Sequence, residues 1–268
     1  EKVMVDGNDF ICQLKREQNN NVLVMGGNFD VSLRAANSVL FSLLPQLSRE
    51  DTSINVFNYI NKSNKSEYSS IKKSADIIKK HFIQTNYYER DVDISDVLKS
   101  VNDEVKNRLK ELDTNNQFAI KVLTFFNIDN NKDFHEEERR TADSLVPKLM
   151  ASEYTELLKS ILNNGPKVGI HCIVHASNPT GYYNVFDYNS GDHSLFNHRV
   201  FGQVSDEESG QLIHNRCNEA AYVVDYELGE KGYNRVLYFD ATTNKFDNLP
   251  VIKPYEFLTL EDLNKLLT

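Results

Sequence analysis

Hydrophobic positions along the chain alternate between short apolar runs and stripes with the period of an α-helix. The apolar runs predict five buried strands, at residues 22–26, 54–60, 118–128, 168–177 and 195–204. The stripes predict helices from Ser32 to near Pro45, at 71–82, at 93–112, within 144–166 after Pro147, and from Ser205 onward, where Ser205 and Glu208 form a capping box. Strands that alternate with helices over the first 215 residues indicate a mainly parallel sheet flanked by helices, in one α/β domain over residues 1–268.

The remaining segments are predicted from shorter patterns. A hairpin is predicted in the first 15 residues, the runs AAYVVDY and NRVLYFD predict two closing strands, and LEDLNKLL predicts a short last helix. Residues 61–70 are predicted to form a solvated loop. Residues 178–193 are predicted to form a long loop at the carboxyl end of a strand, where α/β proteins keep ligands and moving parts. The run HEEERR (135–140) predicts a solvated helix start, with charge pairing between subunits as the alternative.

Composition and charge narrow the classes of function. The formal charge of −9 disfavours nucleic-acid binding by bulk electrostatics, although a local basic patch or a pore loop remains open. Cys12, Cys172 and Cys217 are scattered and odd in number, which argues against a disulfide framework and fits a reducing compartment. No apolar run approaches the roughly 18 residues of a membrane span, and no signal peptide is evident. The missing initiator Met suggests a fragment of a longer chain.

The segment after the first buried strand has the layout of a phosphate-binding loop. A functional P-loop reads GxxxxGK[ST], where glycines expose backbone N–H groups, Lys neutralises phosphate oxygens and the hydroxyl holds Mg²⁺. The matching residues here are Gly26, Gly27, Asn28, Phe29, Asp30, Val31, Ser32 and Leu33. The second glycine is therefore Val31, the Lys position is Ser32, the hydroxyl position is Leu33, and Asp30 adds a negative charge.

From these residues alone, three interpretations stay open. The segment is a tight turn in an ordinary Rossmann-like sheet, a degenerate P-loop, or a turn that holds another anion or small ligand. The last is included because the helix N-terminus keeps its free N–H groups and partial positive charge.

Two further segments resemble the FtsK/SpoIIIE family of motor ATPases. Residues 157–181 are similar to the family's helix and glycine turn that lead into a GIH-containing strand, here Gly169-Ile170-His171. Residues 195–213 resemble the following strand, with its Arg, and a helix that begins Val-Ser-Asp-Glu-Glu. Residues 22–44 then align with the family's P-loop and helix without a gap. Order and spacing agree over nearly the whole chain.

This resemblance implies a RecA-like P-loop NTPase fold in a domain that forms rings, usually hexameric. Such domains hydrolyse ATP at subunit interfaces and pull DNA, or drive protein export in secretion ATPases of the EssC kind. The secretion ATPases carry several such domains in tandem, and the later ones are often degenerate. ATP and Mg²⁺ would be the cofactors of an active member.

The sequence departs from the active pattern at each catalytic position that the resemblance locates. The P-loop Lys and hydroxyl are replaced by Ser32 and Leu33. The acidic pair expected at the end of the third strand is replaced by Phe126 and Asn127, with Asp129 as the nearby carboxylate. An Arg that often follows the acidic start of the helix at Ser205 is replaced by Gln211. Arg199 is retained, either to reach a neighbouring subunit or to form a local ion pair.

These departures predict a non-catalytic domain of a larger FtsK/SpoIIIE-type protein, with Gly26 to Val31 as a vestigial phosphate loop and with no cofactor or metal. Its expected roles are assembly, regulation or partner docking. The expected partners are other domains of the parent, a homo-oligomeric ring, and DNA or a secreted protein through the parent. The alternative is an active DNA translocase whose site is completed by a neighbouring subunit. The domain is expected in the cytoplasm, and the parent is a candidate for membrane anchoring.

Other polar and aromatic residues are expected to be structural. His171 and His175 lie four apart and so on one face of a strand, without further ligands to form a metal site. Tyr182, Tyr183, Phe186 and Tyr188 are expected to pack in their loop, with stacking on bases as the alternative. No His-Asp arrangement is evident near Ser32, so a nucleophilic role is not expected.

Overall fold

The fold is described from a computed structural model. It describes residues 4–5, 8–9, 13–114, 117–139, 148–187, 191–213, 217, 219–223, 235–243, 245–254, 257, 261–262 and 265. The strands are β1 (Met4–Val5), β2 (Asn8–Asp9), β3 (Val22–Met25), β4 (Ser53–Asn58), β5 (Thr85–Glu89), β6 (Lys121–Phe126), β7 (Glu137–Arg139), β8 (Lys148–Met150), β9 (Ile170–His175), β10 (His198–Phe201), β11 (Val236–Asp240) and β12 (Val251–Ile252). The helices are α1 (Phe29–Leu43), α2 (Lys65–His81), α3 (Ser95–Glu111), α4 (Glu153–Asn164), α5 (Pro179–Tyr183) and α6 (Asp206–Leu212).

Eight of these strands form one sheet in the order β12-β11-β10-β3-β9-β6-β4-β5. The pairs from β10 through β3, β9, β6 and β4 to β5 are parallel, and the β10–β11 and β11–β12 pairs are antiparallel. Strands β1 and β2 form a small antiparallel pair, as do β7 and β8. The mainly parallel sheet predicted from the sequence is therefore confirmed.

Helices cover both faces of the sheet. Alternate residues of β3 face opposite sides: Val22 and Val24 pack with α1 and α2, while Leu23 and Met25 pack with the cluster that includes α3 and α4. All four residues are buried, as expected for a central parallel strand. Because β3 is flanked by β9 and β10, its carboxyl end lies at the middle of the sheet edge where the parallel strands terminate.

Several predicted elements are wrong in their bounds or their type. The helix predicted after Pro147 begins only at Glu153, after strand β8. The run at 135–140, predicted to begin a helix, contributes strand β7, whose backbone pairs with β8. The predicted loop at 61–70 contains the first turns of α2. Of the predicted strand AAYVVDY (220–226), the first three residues lie instead in the 3₁₀ helix Glu219–Tyr222.

Two strands were missed, and two predictions are only partly described. The missed strands are β5 at one edge of the sheet and the two-residue β12 at the other. A hairpin is present in the first 15 residues, but its second strand is Asn8–Asp9, where the sequence predicted the turn between VMVDG and FICQL; residues 10–12 lie outside the described part. In the predicted last helix, 261–262 and 265 are helical and its other residues are likewise outside.

Candidate functional site

The carboxyl edge of the parallel sheet brings together the loops that the sequence analysis identified. The Gly26–Gly27 turn follows β3, Asn127 follows β6, and Gly202 follows β10. His175 is the last residue of β9, the strand between β3 and β6. The glycine loop and the segment expected to carry the acidic pair are therefore separated by one strand, and the end of that strand contacts both.

Packing against the neighbouring strand requires both glycines of the turn. Gly26 and Gly27 have φ angles of +97° and +63°, which L side chains rarely adopt. A Cβ on Gly27 would lie 2.7 Å from the backbone nitrogen of Gln203, and one on Gly202 would lie 2.5 Å from the carbonyl oxygen of Gly26. The turn is thus held by close backbone contact with the segment after β10, irrespective of any ligand.

The first turn of α1 is closed by its own side chains. The Asn28 side chain accepts a hydrogen bond from the backbone N–H of Asp30 (2.9 Å) and caps the helix. The Asp30 carboxylate lies 3.0 Å from Nε of Arg34, one turn further along. Val31 and Leu33 are buried in the core, and Phe29 packs edge-on against the His175 ring with centroids 5.6 Å apart.

Ser32 and Asn127 are connected through His175. Nδ1 of His175 accepts a hydrogen bond from the backbone N–H of Asn127 (3.0 Å). Nδ1 is therefore unprotonated, Nε2 carries the proton, and Nε2 donates to Oγ of Ser32 (3.1 Å). The Ser32 hydroxyl donates in turn to the carbonyl oxygen of Phe29 (3.1 Å). We call this buried chain of hydrogen bonds the Ser32–His175–Asn127 bridge.

The bridge places a His beside Ser32, but its other partner is the backbone N–H of Asn127 and not an Asp, so it gives no nucleophile. A general base must accept the serine proton, whereas His175 donates its own proton to Ser32. Complete burial lowers the pKa of His175 to about 3, so the ring stays neutral near pH 7. A neutral, hydrogen-bonded group therefore lies between the positions that a motor of this type would give to a cation and to acidic residues.

The segment after β6 is also occupied by structural contacts. Phe126 is fully buried, and Asn127 adopts a left-handed backbone conformation with φ of 59°. The Asp129 carboxylate accepts hydrogen bonds from the backbone N–H of Ser177 (2.9 Å) and from the Ser177 hydroxyl. The same carboxylate lies so close to Gly181 of α5 that a Cβ at that position would clash with it. Asp129 therefore ties the end of β6 to the loop after β9.

Gln211 and Arg199 contact groups of their own chain. Nε2 of Gln211 donates to Glu207 (3.1 Å), and the Tyr183 hydroxyl donates to Oε1 of Gln211 (3.4 Å). Arg199 is 4% exposed; its Nε donates to the carbonyl of Phe196 (3.0 Å) and its Nη1 to the carbonyl of Leu212 (2.5 Å), the last residue of α6. The guanidinium also lies 5.3 Å from the centre of the Phe239 ring. Burial lowers the Arg199 pKa to about 10.

An open cavity of about 570 Å³ lies over the glycine turn. Its described lining residues are Gly27, Asn28, Asn178, Pro179, Gln203, Val204, Ser205 and Glu208. They include no Lys or Arg, and the charged member is Glu208, which accepts hydrogen bonds from Ser205 in the capping box of α6. The cavity therefore has space for a ligand but no described cation that would neutralise phosphate oxygens.

The other expected residues have structural contacts. Nδ1 of His171 lies 2.9 Å from the carbonyl oxygen of Asn20, and burial lowers its pKa. Tyr182 and Phe186 are buried and stack with centroids 5.0 Å apart, which confirms packing for this part of the loop; Tyr188 lies outside the described residues. In the described part of the chain, no group of three or more His, Cys, Asp or Glu side chains could hold a metal ion. No described helix has the length and apolar character needed to span a bilayer.

The main feature that sequence reasoning missed is the role of His175. Its position on a buried strand was recognised, but its contact with Ser32 depends on strand order. Because β9 lies between β3 and β6, a residue 143 positions away from Ser32 becomes its neighbour. The signal in the sequence that could have indicated this role is the polar His175 at the carboxyl end of a largely apolar, buried strand.

Comparisons with known proteins show which solved structures share this fold. No protein-family model matches the chain, and no curated protein matches it significantly. Among solved structures, EssC (ATPases 2 and 3) from Geobacillus thermodenitrificans superposes with a TM-score of 0.64 at 13% identity, over 97% of this chain and 45% of that one. The pCW3 conjugation coupling protein TcpA, solved with ATPγS, gives 0.64 at 12% identity, over 99% and 68%. Thermomonospora curvata EccC (ATPases 2 and 3), in complex with a signal sequence peptide, gives 0.60 at 11% identity, over 97% and 43%.

The chain thus has the RecA-like P-loop ATPase fold, as the sequence predicted. The resemblance to FtsK/SpoIIIE-type motors is confirmed at the level of the fold. The chain spans less than half the length of the matched EssC and EccC chains.

Proposed function

We propose that this chain is a non-catalytic domain of an FtsK/SpoIIIE-type translocase, a pseudo-ATPase that serves assembly, regulation or partner docking. The Ser32–His175–Asn127 bridge carries the proposal. At the positions where a working site needs a mobile cation and acidic residues, it provides three neutral groups whose hydrogen bonds are directed at one another. Freeing these groups for a ligand would leave buried donors and acceptors unpaired, which costs about 1–3 kcal/mol for each group.

The residues around the cavity support the same conclusion. Mg-ATP needs positive charge against its phosphates and carboxylates or hydroxyls for the metal. Here the charged group that lines the cavity is the Glu208 carboxylate, while the nearby Asp129 is engaged by Ser177. The residues present therefore do not fit Mg-ATP, and we assign no hydrolytic step to them.

The parent context is part of the proposal. The matched EssC and EccC structures each hold ATPases 2 and 3, and this chain covers less than half of each. We accordingly assign the chain to a longer protein in which this domain lies in the cytoplasm and other domains supply the ATPase activity. Rings, DNA and secreted proteins would be reached through that parent.

Isothermal titration with Mg-ATP, combined with a phosphate-release assay, tests the proposal. We expect no binding tighter than about 1 mM, equivalent to about −4 kcal/mol, and no turnover. Micromolar binding with turnover would defeat it. A contaminating ATPase would give the same turnover in preparations of the native protein and of Ser32→Ala. Turnover by this domain itself would differ between the two, because Ser32 belongs to the bridge.

The alternative is an active DNA translocase whose site is completed by a neighbouring subunit. It predicts ATP hydrolysis that is stimulated by duplex DNA and lost in Arg199→Lys, with retention of fold checked by circular dichroism. The contacts of Arg199 with Phe196 and Leu212 favour the first proposal, because a buried guanidinium that binds its own chain is not directed at a partner. Absence of DNA stimulation would eliminate the alternative.

A further inference from the structure

Helix α2 differs in charge from the rest of the molecule. It contains five lysines, Lys65, Lys72, Lys73, Lys79 and Lys80, and two acidic residues, Glu67 and Asp76. Its formal charge is therefore +3, whereas the whole chain carries −9, so that the other residues carry −12. The sequence analysis left a local basic patch open, and α2 provides one.

The lysines lie on the outward side of the helix. Ile71, Ser74, Ala75, Ile77 and Ile78 are buried toward the sheet, while all five lysines are exposed. Lys65, Lys72 and Lys79 repeat every seven residues, as do Lys73 and Lys80, which places them in two adjacent rows on the helix. We call this outward side the α2 basic face.

Most of these ammonium groups are not neutralised by the protein. Lys72 lies 3.4 Å from the Glu89 carboxylate. In the described part of the chain, the ammonium groups of Lys65, Lys73, Lys79 and Lys80 make no ion pair and no hydrogen bond. Elsewhere, Lys99, Lys121 and Lys159 are each paired with a carboxylate. The α2 basic face, in which Lys72 is paired and the exposed Asp76 lies among the lysines, thus carries a net positive charge at the β5 edge of the sheet.

Exposed aliphatic side chains flank this face. Ile83, two residues beyond the end of α2, is 87% exposed, and Val92 is 45% exposed. Among the described residues, the one further large hydrophobic side chain that is exposed is Met150, at 40%. Val92 follows Asp91, whose carboxylate lies 3.3 Å from Lys62 just before α2, so the two aliphatic residues mark opposite ends of the helix.

The chemistry of the face distinguishes between anionic partners. Nucleic-acid and phosphate recognition favours the bidentate guanidinium of Arg, and α2 contains no Arg. Lysine is depleted in protein–protein interfaces. Lysines with long flexible stems, together with protruding aliphatic residues, match a fluid anionic surface, where ammonium groups reach the headgroups and the aliphatic side chains enter the boundary with the acyl chains.

We propose that the α2 basic face, with Ile83 at its end, docks this domain on an anionic lipid surface. This inference does not depend on the proposed loss of ATP hydrolysis. The lysines supply the electrostatic attraction, and Ile83 adds insertion of an aliphatic side chain at the end of the helix. The remaining acidic surface would face away from the membrane.

Co-sedimentation of the whole 268-residue chain with vesicles tests the proposal. Vesicles of phosphatidylcholine with and without 30% phosphatidylserine are compared at about 0.05 and 0.15 M salt, where the screening length falls from roughly 14 to 8 Å. We expect binding to the anionic vesicles alone, weaker at the higher salt. Because each lysine near such a surface contributes about 1 kcal/mol, Lys73→Gln/Lys79→Gln/Lys80→Gln should lower the partition coefficient about a hundredfold.

The matched control is Lys106→Gln/Lys110→Gln/Lys132→Gln, which removes the same charge from exposed positions outside α2. It should change binding by less than about threefold, and Ile83→Ser should weaken binding severalfold without changing the salt dependence. Equal loss in the two triple variants would overturn the proposal, as would binding to neither vesicle. A parallel titration with duplex DNA that binds through α2, while the vesicles do not, would overturn it in favour of a nucleic-acid surface.

Discussion

Two loops at the carboxyl edge of the sheet differ in what fixes their conformation. The turn after β3 retains its glycines at positive φ, and their positions are fixed by contact with Gly202 and Gln203. The segment after β6 has no acidic pair and instead has a buried Phe126 and a left-handed Asn127. The glycine turn is therefore fixed by backbone packing, and the segment after β6 by a buried ring and a left-handed residue, while both loops present neutral groups to His175.

His175 joins the two loops without a charged group. The space between the loops contains the Asn127 N–H, which would be a costly unpaired donor there without a partner. The imidazole of His175 fills that space and hydrogen-bonds to both loops without a charge. The comparison suggests that glycine turns report on packing as much as on ligand binding, and the following predictions test this.

The largest expected effect is at the glycine turn. Gly27→Ala should lower the free energy of unfolding by about 3 kcal/mol, because a Cβ would meet the Gln203 backbone and the φ angle disfavours any L side chain. Gly191→Ala is the matched control, since Gly191 has a similar φ of +70° with no atom within 4 Å. The control should lose about 1 kcal/mol. Urea denaturation measures both, and equal losses would show that contact with the β10 segment is unimportant.

Replacing the central residue of the bridge should come next. His175→Ala should cost about 3 kcal/mol, since it leaves a cavity and deprives both the Asn127 N–H and Ser32 of a partner. Ser32→Ala removes one hydrogen bond and should cost about 1 kcal/mol. Thermal and urea unfolding provide the comparison. If the two substitutions cost the same, His175 is not holding the loops together.

The pH dependence of stability isolates the charge state of His175. Its folded pKa of about 3 lies below the ordinary value of 6.5, so as pH falls below about 6.5 the unfolded state binds the proton first. Stability is therefore lost progressively between about pH 6.5 and pH 3, at up to about 1.4 kcal/mol per pH unit. His175→Gln should lack this contribution, while its other histidines are unchanged.

The measurable quantity is the difference in unfolding free energy between the native protein and His175→Gln. This difference should shrink by about 2.5 kcal/mol between pH 7 and pH 4.5. His171→Gln provides a comparison at a second buried histidine of the same strand, whose pKa burial also lowers. A difference for His175→Gln that stays constant between pH 7 and pH 4.5 would mean that the ring takes up its proton with the same pKa in the folded and unfolded states, which would contradict a buried neutral ring.

The fold could largely be predicted from the sequence because its core strands are strongly apolar and their helices strongly periodic. Strand β3, helix α3 and the α6 capping box are examples. Strand β5 was missed because it lies at the sheet edge, where TNYYE needs no apolar run. The chain after Pro147 was predicted to be helical because the spacing of its apolar residues fits a helix as well as a strand. Residues 148–150 form strand β8 because their backbone pairs with β7.

The site was less predictable, because its contacts join residues that are far apart in the chain. The sequence alone shows that Ser32, Leu33 and Asn127 stand at the positions compared with the Lys, hydroxyl and acidic residues of a motor. That His175 bridges two of these positions follows only from the order of β3, β9 and β6. Likewise, the contact of Asp129 with Ser177 depends on a neighbouring strand 48 residues away.

The smallest expected effect concerns this last contact. Ser177→Ala removes the hydroxyl that donates to the Asp129 carboxylate and should lower the free energy of unfolding by about 1.5 kcal/mol. The control Ser160→Ala removes a hydrogen bond to the neutral amide oxygen of Asn102 and should lower it by about 1 kcal/mol. Both serines are half-buried, so the pair compares a charged with a neutral acceptor. In Asp129→Asn, the cost of Ser177→Ala should fall to that of the control. If Asp129 were instead a metal ligand, Mg²⁺ at millimolar concentration would raise the Tm of the native protein and not that of Asp129→Asn, and we expect no such shift.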